Sequence, residues 1–214
     1  MNKKLTPLVI ICITAIVITG FRNIHGHVVC FGDSITQGDG HSWVYFLSQE
    51  HLDPDFVNAG RSGRKTADKD ELLPVLKKYP DANYYLIFLG VNDLKNGNDS
   101  MVNICVNNMQ WMINEIRKIN SKAKIVILAP SDINLKTMNE INKGKMYNEN
   151  TKQSLYKLDK RYKELAEVQH TGFISLLHAV SKPNYKDGLH PNMAGQKEIA
   201  KVVWNGLKKM NEYD

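Results

Sequence analysis

The chain has 214 residues, 43% of them hydrophobic and 23% charged, which argues against disorder or a repeat array and leaves room for one well-buried core. A formal charge of +6 is scattered along solvated helix faces rather than massed in a run, which argues against a nucleic-acid-binding surface. Three cysteines are too few for a disulfide framework, and no Cys or His spacing fits a zinc site.

Residues 1–20 stand apart from the rest. Lys3 and Lys4 precede an apolar run over 8–18 that only Thr14 interrupts, and the small residues Thr19 and Gly20 follow. A basic start, a short apolar stretch and small residues behind it describe an export signal, whereas a spanning helix needs about 20 apolar residues. Ile18 sits where a cleavage site prefers a small side chain, so an uncleaved membrane tether over 5–20 is the alternative. Cys12 lies inside the apolar run, which speaks against a lipid-modified N-terminus. The expectation is an exported protein, periplasmic or extracellular, with one domain over 21–214.

Within that domain, short β-branched and aromatic runs alternate with longer helical patterns. This alternation predicts a parallel sheet covered by helices on both faces. Five strands are expected, over 28–32, 55–60, 84–90, 124–130 and 172–179. Between the third and fourth, Val102, Cys105, Met109, Met112, Ile116 and Ile119 recur every three or four residues and put one apolar stripe on a helix face. Leu155, Leu158, Tyr162 and Leu165 repeat the pattern before the fifth strand, as do Ile199, Val203, Leu207 and Met210 in the last helix. Cys30, in an apolar strand, and Cys105, on an apolar stripe, read as buried thiols, although one bridge between them is arithmetically possible.

In such a sheet, ligands bind outside the carboxyl ends of the strands. The segments that carry candidate chemistry fall there, at 32–40, 60–65 and 90–97. Two stretches have no regular period. The asparagine-rich segment 131–150 is expected to form a wall of a substrate cleft, the alternative being a surface excursion or a helix without a visible period. Segment 181–190 joins the fifth strand to the last helix.

A serine attacks only when a base takes its proton and a third group orients that base. Ser34 follows the first strand, and Asp187-Gly188-Leu189-His190 follows the fifth, so all three side chains can meet at one sheet edge. Gly188 permits a turn that a residue with a Cβ resists, and Pro191 is placed to open the next helix. A developing oxyanion needs donors aimed at it, and these can come from the Ser34 backbone, from Gly60 after the second strand and from the Asn92 side chain after the third.

Gly32-Asp33-Ser34, Gly60, Gly90-Val91-Asn92-Asp93 and Asp187-Gly188-Leu189-His190-Pro191 together resemble the four sequence blocks of the SGNH hydrolases, also called GDSL-type esterases and lipases. They span residues 28–195. The resemblance implies a flavodoxin-like three-layer α/β/α sandwich with sheet order 2-1-3-4-5, and an SGNH catalytic domain over 21–214. It assigns Ser34 as nucleophile, His190 as general base and then acid, and Asp187 as its orienter, with an oxyanion hole of Ser34, Gly60 and Asn92. Asp33 and Asp93 are left to support loops. No metal or organic cofactor is implied. Ile35 replaces the leucine of the name-giving block, an ordinary apolar exchange.

The expected reaction is hydrolysis of an acyl ester through an acyl-enzyme. Arg61, Arg64, Lys65 and the asparagines of 131–150 suggest a polar cleft edge suited to a glycan, hence removal of an acetyl group from a carbohydrate. The alternative is a lysophospholipase or thioesterase acting on longer acyl chains. A binding module that lost its chemistry would lack one of these residues, and a nucleotide binder would carry a phosphate-cradling lysine that 32–40 lacks. No Gly-x-Ser-x-Gly elbow is present.

Overall fold

The computed structural model describes residues 24–211; the leader over 1–20 lies outside them. Strand β1 (His27–Gly32) is buried from its second residue onward, as is β3 (Tyr84–Phe88) throughout. A strand covered on both faces must be apolar on both, which is why these segments read as continuous runs rather than alternations. With β2 (Asp55–Gly60), β4 (Lys124–Ala129) and β5 (Gly172–Ser175) they form one five-stranded parallel sheet of order β2-β1-β3-β4-β5.

Helices cover both faces. The short helix α1 (Ser34–Gln37) packs on β2, while α2 (Trp43–Glu50) and α7 (Met193–Asn211) pair on one face. On the other face, α3 (Leu72–Lys78), α4 (Asp99–Ile119) and α6 (Glu149–Gln169) pack together, and α5 (Glu140–Gly144) is a single turn within segment 131–150. The α4 stripe buries Val102, Cys105, Met109, Met112, Ile113 and Ile116. Each fully buried side chain of this size contributes about 1.5–3 kcal/mol. Ile119, expected in that stripe, is 55% exposed, because it is the final residue of the helix. Leu165 is likewise only partly buried, and Ala166 takes the inward position. Cys30 and Cys105 are buried free thiols.

Two strands stop earlier than their apolar runs. After Ala129 the chain meets Pro130, which has no N–H to give a sheet. The last ladder contact of β5 is therefore Leu176 N–H to Ala129 O at 3.2 Å, and the apolar residues beyond it turn back, with Ala179 N–H on Leu176 O at 2.9 Å. The expected fifth strand thus ends at Ser175 rather than at residue 179. Likewise β3 ends at Phe88 because Gly90 takes φ +135° and leads the chain off the sheet.

Candidate active site

Gly32 closes β1 at a point where a side chain would not fit: a Cβ there would lie 2.1 Å from Thr36 Oγ1 and 3.0 Å from Phe88 O. The chain can therefore turn at once into α1, whose N-cap is Asp33, with Oδ1 accepting from Ile35 N–H at 2.9 Å. Ser34 is the first residue of this helix. Its N–H has no acceptor among the described residues, as expected of a first-turn donor. Its Oγ lies 3.0 Å from His190 Nε2.

His190 is placed by a turn built around one carboxylate. Asp187 Oδ1 accepts from the N–H groups of Leu189 (3.0 Å) and His190 (2.8 Å), while Oδ2 meets His190 Nδ1 at 2.8 Å. Burial pushes the Asp187 carboxyl up, but the hydrogen bonds from the His190 N–H and ring and from Leu189 outweigh it and hold the group below its usual range. An ionised carboxylate only accepts, so the ring proton belongs on Nδ1 and the Nε2 lone pair faces the Ser34 hydroxyl. The structure thus brings Ser34, His190 and Asp187 into one hydrogen-bonded chain. Gly188 sits at φ +84°, and a Cβ on it would lie 2.4 Å from Met138 Cα. Pro191 does not open the helix as expected. It bridges Tyr185, and α7 is instead capped by Asn192, whose Oδ1 accepts from Gly195 N–H at 3.0 Å.

Gly60 does not suit the donor role assigned to it. Its N–H is already bonded to Asn58 Oδ1 at 2.9 Å, and a Cβ on it would sit 2.2 Å from Gln37 N. It is a glycine because β2 and α1 touch there. Three residues on, Gly63 lies at φ +74° in the turn that Arg64 N–H closes onto Arg61 O at 3.2 Å. The Gly63 N–H has no acceptor among the described residues, and a Cβ on this residue would meet nothing within 4 Å. Asn92 is buried. Its Nδ2 donates to Arg64 O (3.1 Å) and, at longer range, to Asp33 Oδ2 (3.3 Å), while its Oδ1 accepts from the Tyr147 hydroxyl at 2.6 Å.

Arg64, expected at the cleft edge, is buried instead. Its Nη1 donates to Gly32 O and Ala59 O, both at 2.6 Å, its Nε donates to Glu71 at 3.0 Å, and the guanidinium lies 4.0 Å from the Phe31 ring centroid. A guanidinium can leave water when its fork is satisfied in this way. It ties the ends of β1 and β2 together beside the nucleophile. Arg61, half-exposed, is held by Asp68 and Glu71. Asp93 accepts from Thr66 N–H (3.0 Å) and Oγ1 (2.6 Å). Burial raises its carboxyl despite these bonds. Burial also raises Asp33, to about 7, against the opposing pull of the Ile35 N–H and Arg64. Both acids support loops.

Segment 131–150 braces the site from behind. Asn134 N–H donates to Gly188 O (2.7 Å), and Asn139 N–H and Asn142 Nδ2 both donate to Asp187 O (3.2 Å each). Tyr147, at its far end, holds Asn92. The cleft wall expected of this segment is supplied by other residues: the cavity of about 470 Å³ at Ser34 and His190 is edged by Asp39, His41, Ser62 and Lys186. A cavity of about 510 Å³ at the opposite sheet edge, beside Asn83 and Asn120, has no serine, threonine or cysteine in its lining.

The family model for GDSL-like lipases and acylhydrolases matches residues 30–198. No curated protein matches the chain. Among solved structures, a carbohydrate acetylesterase from Sinorhizobium meliloti is 17% identical at a TM-score of 0.75, covering 86% of this chain and 99% of that one. An aryl esterase from M. smegmatis is 18% identical at 0.73, covering 86% and 99%. A catalytic mutant of an acetylxylan esterase from Geobacillus stearothermophilus is 18% identical at 0.67, covering 85% and 93%. With a family match across most of its length and a fold shared with these solved structures, the chain belongs to the GDSL-like lipase/acylhydrolase family and is an acyl esterase.

Proposed function

We propose that the protein removes short acyl groups, acetyl above all, from hydroxyls of a carbohydrate, with Ser34 as nucleophile. The observation that carries the mechanism is the continuous chain from Ser34 Oγ through the His190 ring to Asp187, with contacts of 3.0 and 2.8 Å. His190 Nε2 takes the serine proton as Oγ attacks the ester carbonyl. The alcohol departs with that proton, and water enters by the same route to release the acid and restore Ser34. The negative charge that develops on the carbonyl oxygen is met by the N–H groups of Ser34 and Gly63 and by the Asn92 amide. Gly63 replaces Gly60 in this reading because the Gly60 N–H is already spent on Asn58.

The cleft supports the substrate class. Hydrogen-bonding and charged side chains dominate its rim, with an exposed ion pair between Asp39 and Lys186 on one side and Ser62 on another. Sugar hydroxyls can exchange bonds with such groups, while a long acyl chain would find few apolar partners there beyond Pro191 and Met193. The names of the structural neighbours, a carbohydrate acetylesterase and an acetylxylan esterase, point the same way. The basic and apolar pattern of 1–20 supports an exported enzyme.

The test is an assay of residues 21–214 and of Ser34→Ala on p-nitrophenyl esters from acetyl to dodecanoyl, followed by acetylated oligosaccharides. Activity limited to short chains, acetate release from the glycan and loss of both in the variant are expected. Equal activity in the two proteins would overturn the nucleophile, and a preference for long chains would overturn the carbohydrate reading.

A further inference from the structure

Tyr147 is a buried phenol whose hydroxyl has one partner among the described residues, Asn92 Oδ1, at 2.6 Å and 55 residues away in sequence. It lies at the end of segment 131–150, which also bonds the backbone of Asp187 and Gly188 through Asn134, Asn139 and Asn142. The ammonium of Lys95 lies over the Tyr147 ring, 5.3 Å from its centroid. Burial pushes the phenol pKa upward, so the group stays a proton donor.

We infer that Tyr147 is a positioning residue for ester hydrolysis: its hydroxyl holds the Asn92 carbonyl and so aims and polarises the Asn92 N–H groups toward the oxyanion. The inference rests on the reading of Asn92 as an oxyanion donor. An amide whose oxygen accepts a short hydrogen bond presents more acidic N–H groups, because neighbouring hydrogen bonds polarise one another in a low-dielectric interior. The Asn92 contact to Asp33 Oδ2, at 3.3 Å, is the longer of its two donor bonds and the one an incoming oxyanion would replace. Removing the Tyr147 hydroxyl leaves the amide in place without that polarising partner. The cost therefore falls on the transition state, where charge is greatest, and not on substrate binding.

The experiment is a double-mutant cycle in kcat and KM with p-nitrophenyl acetate, using Tyr147→Phe, Asn92→Ala and the pair, with thermal melting of each protein. Tyr147→Phe is expected to lower kcat by about tenfold with KM nearly unchanged, and to add no further loss once Asn92 is alanine. An equal loss in both backgrounds would mean that the hydroxyl serves only the fold and would overturn the inference. Unchanged kcat in Tyr147→Phe, with kcat lost in Asn92→Ala, would overturn it while leaving the oxyanion reading intact. Unchanged kcat in Asn92→Ala would overturn both. Tyr147→Met, which also lacks the hydroxyl, must give the same pattern, and it decides the matter if the phenylalanine protein does not fold.

Discussion

Asn92 carries three hydrogen bonds before any ester arrives, and each has a cost when the side chain is removed. Asn92→Ala should lower turnover by roughly a hundredfold to a thousandfold, the usual effect of losing one oxyanion donor. It should also destabilise the protein by about 1–3 kcal/mol, because the Tyr147 hydroxyl is left buried and unpaired. Kinetics on p-nitrophenyl acetate and urea unfolding read the two losses separately. Near-normal turnover would remove Asn92 from the mechanism. Asp33 makes a different prediction. Its carboxyl is buried and titrates near 7, so between about 4 and 7 the folded protein binds a proton that the unfolded chain has released. Stability should therefore fall as pH rises through that window, by up to ~4 kcal/mol from this group, and Asp93, also raised, acts in the same direction. Asp33→Asn keeps a capping oxygen for Ile35 N–H and removes the titration. Urea midpoints measured from pH 4.5 to 7 should decline less steeply in this variant than in the parent. A slope unchanged by the substitution would show that Asp33 does not hold the proton.

Among the elements, the turn from Asp187 to His190 depends on the segment packed behind it. Gly188→Ala would force a side chain against the Met138 backbone, 2.4 Å from its Cα, at a φ of +84°. The expected result is a loss of about 1–3 kcal/mol in thermal unfolding, with kcat reduced because the His190 ring is displaced from Ser34. Full activity would mean that segment 131–150 yields freely and braces nothing. This is also where the sequence was hardest to read. The strands were legible to within a residue at β1 and β2, because β-branched runs ended by glycine have few alternatives. The apolar run after Gly172 could not reveal its own end, since that depends on Pro130 in a neighbouring strand. The motif residues Ser34, Asn92, Asp187 and His190 stand out as chemical groups at strand ends. Gly60 and Gly63 could not be told apart, because what separates them is the Asn58 side chain that occupies one N–H and not the other. Arg64 read as solvated because an arginine in a loop usually is, and only the meeting of Gly32 O and Ala59 O gives it a buried place. Tyr147 gave no signal, since its partner lies in another loop.

At the scale of the whole molecule, the sheet separates two ends with different duties. Ile24 enters the described fold at the amino end of β1, and Ser34 stands beyond the carboxyl end of the same strand. A parallel strand has its termini on opposite edges of the layer, so Ile24 lies on the side away from the cleft. No described helix is long and apolar enough to cross a membrane, and the export signal or tether expected from the sequence rests on the shorter apolar run 8–18. The full chain and residues 21–214, each expressed in bacteria and separated into membrane and soluble fractions, should then divide differently. The full chain should sediment with the membranes or appear shortened in the exported fraction, while the shorter form stays soluble inside the cell. Both should hydrolyse p-nitrophenyl acetate with the same kcat/KM, because none of the described residues that line the cleft comes from the amino-terminal edge. A soluble, uncleaved full chain would rule out both signal and tether. A large loss of kcat/KM in the shorter form would show that the first 20 residues reach the catalytic end after all.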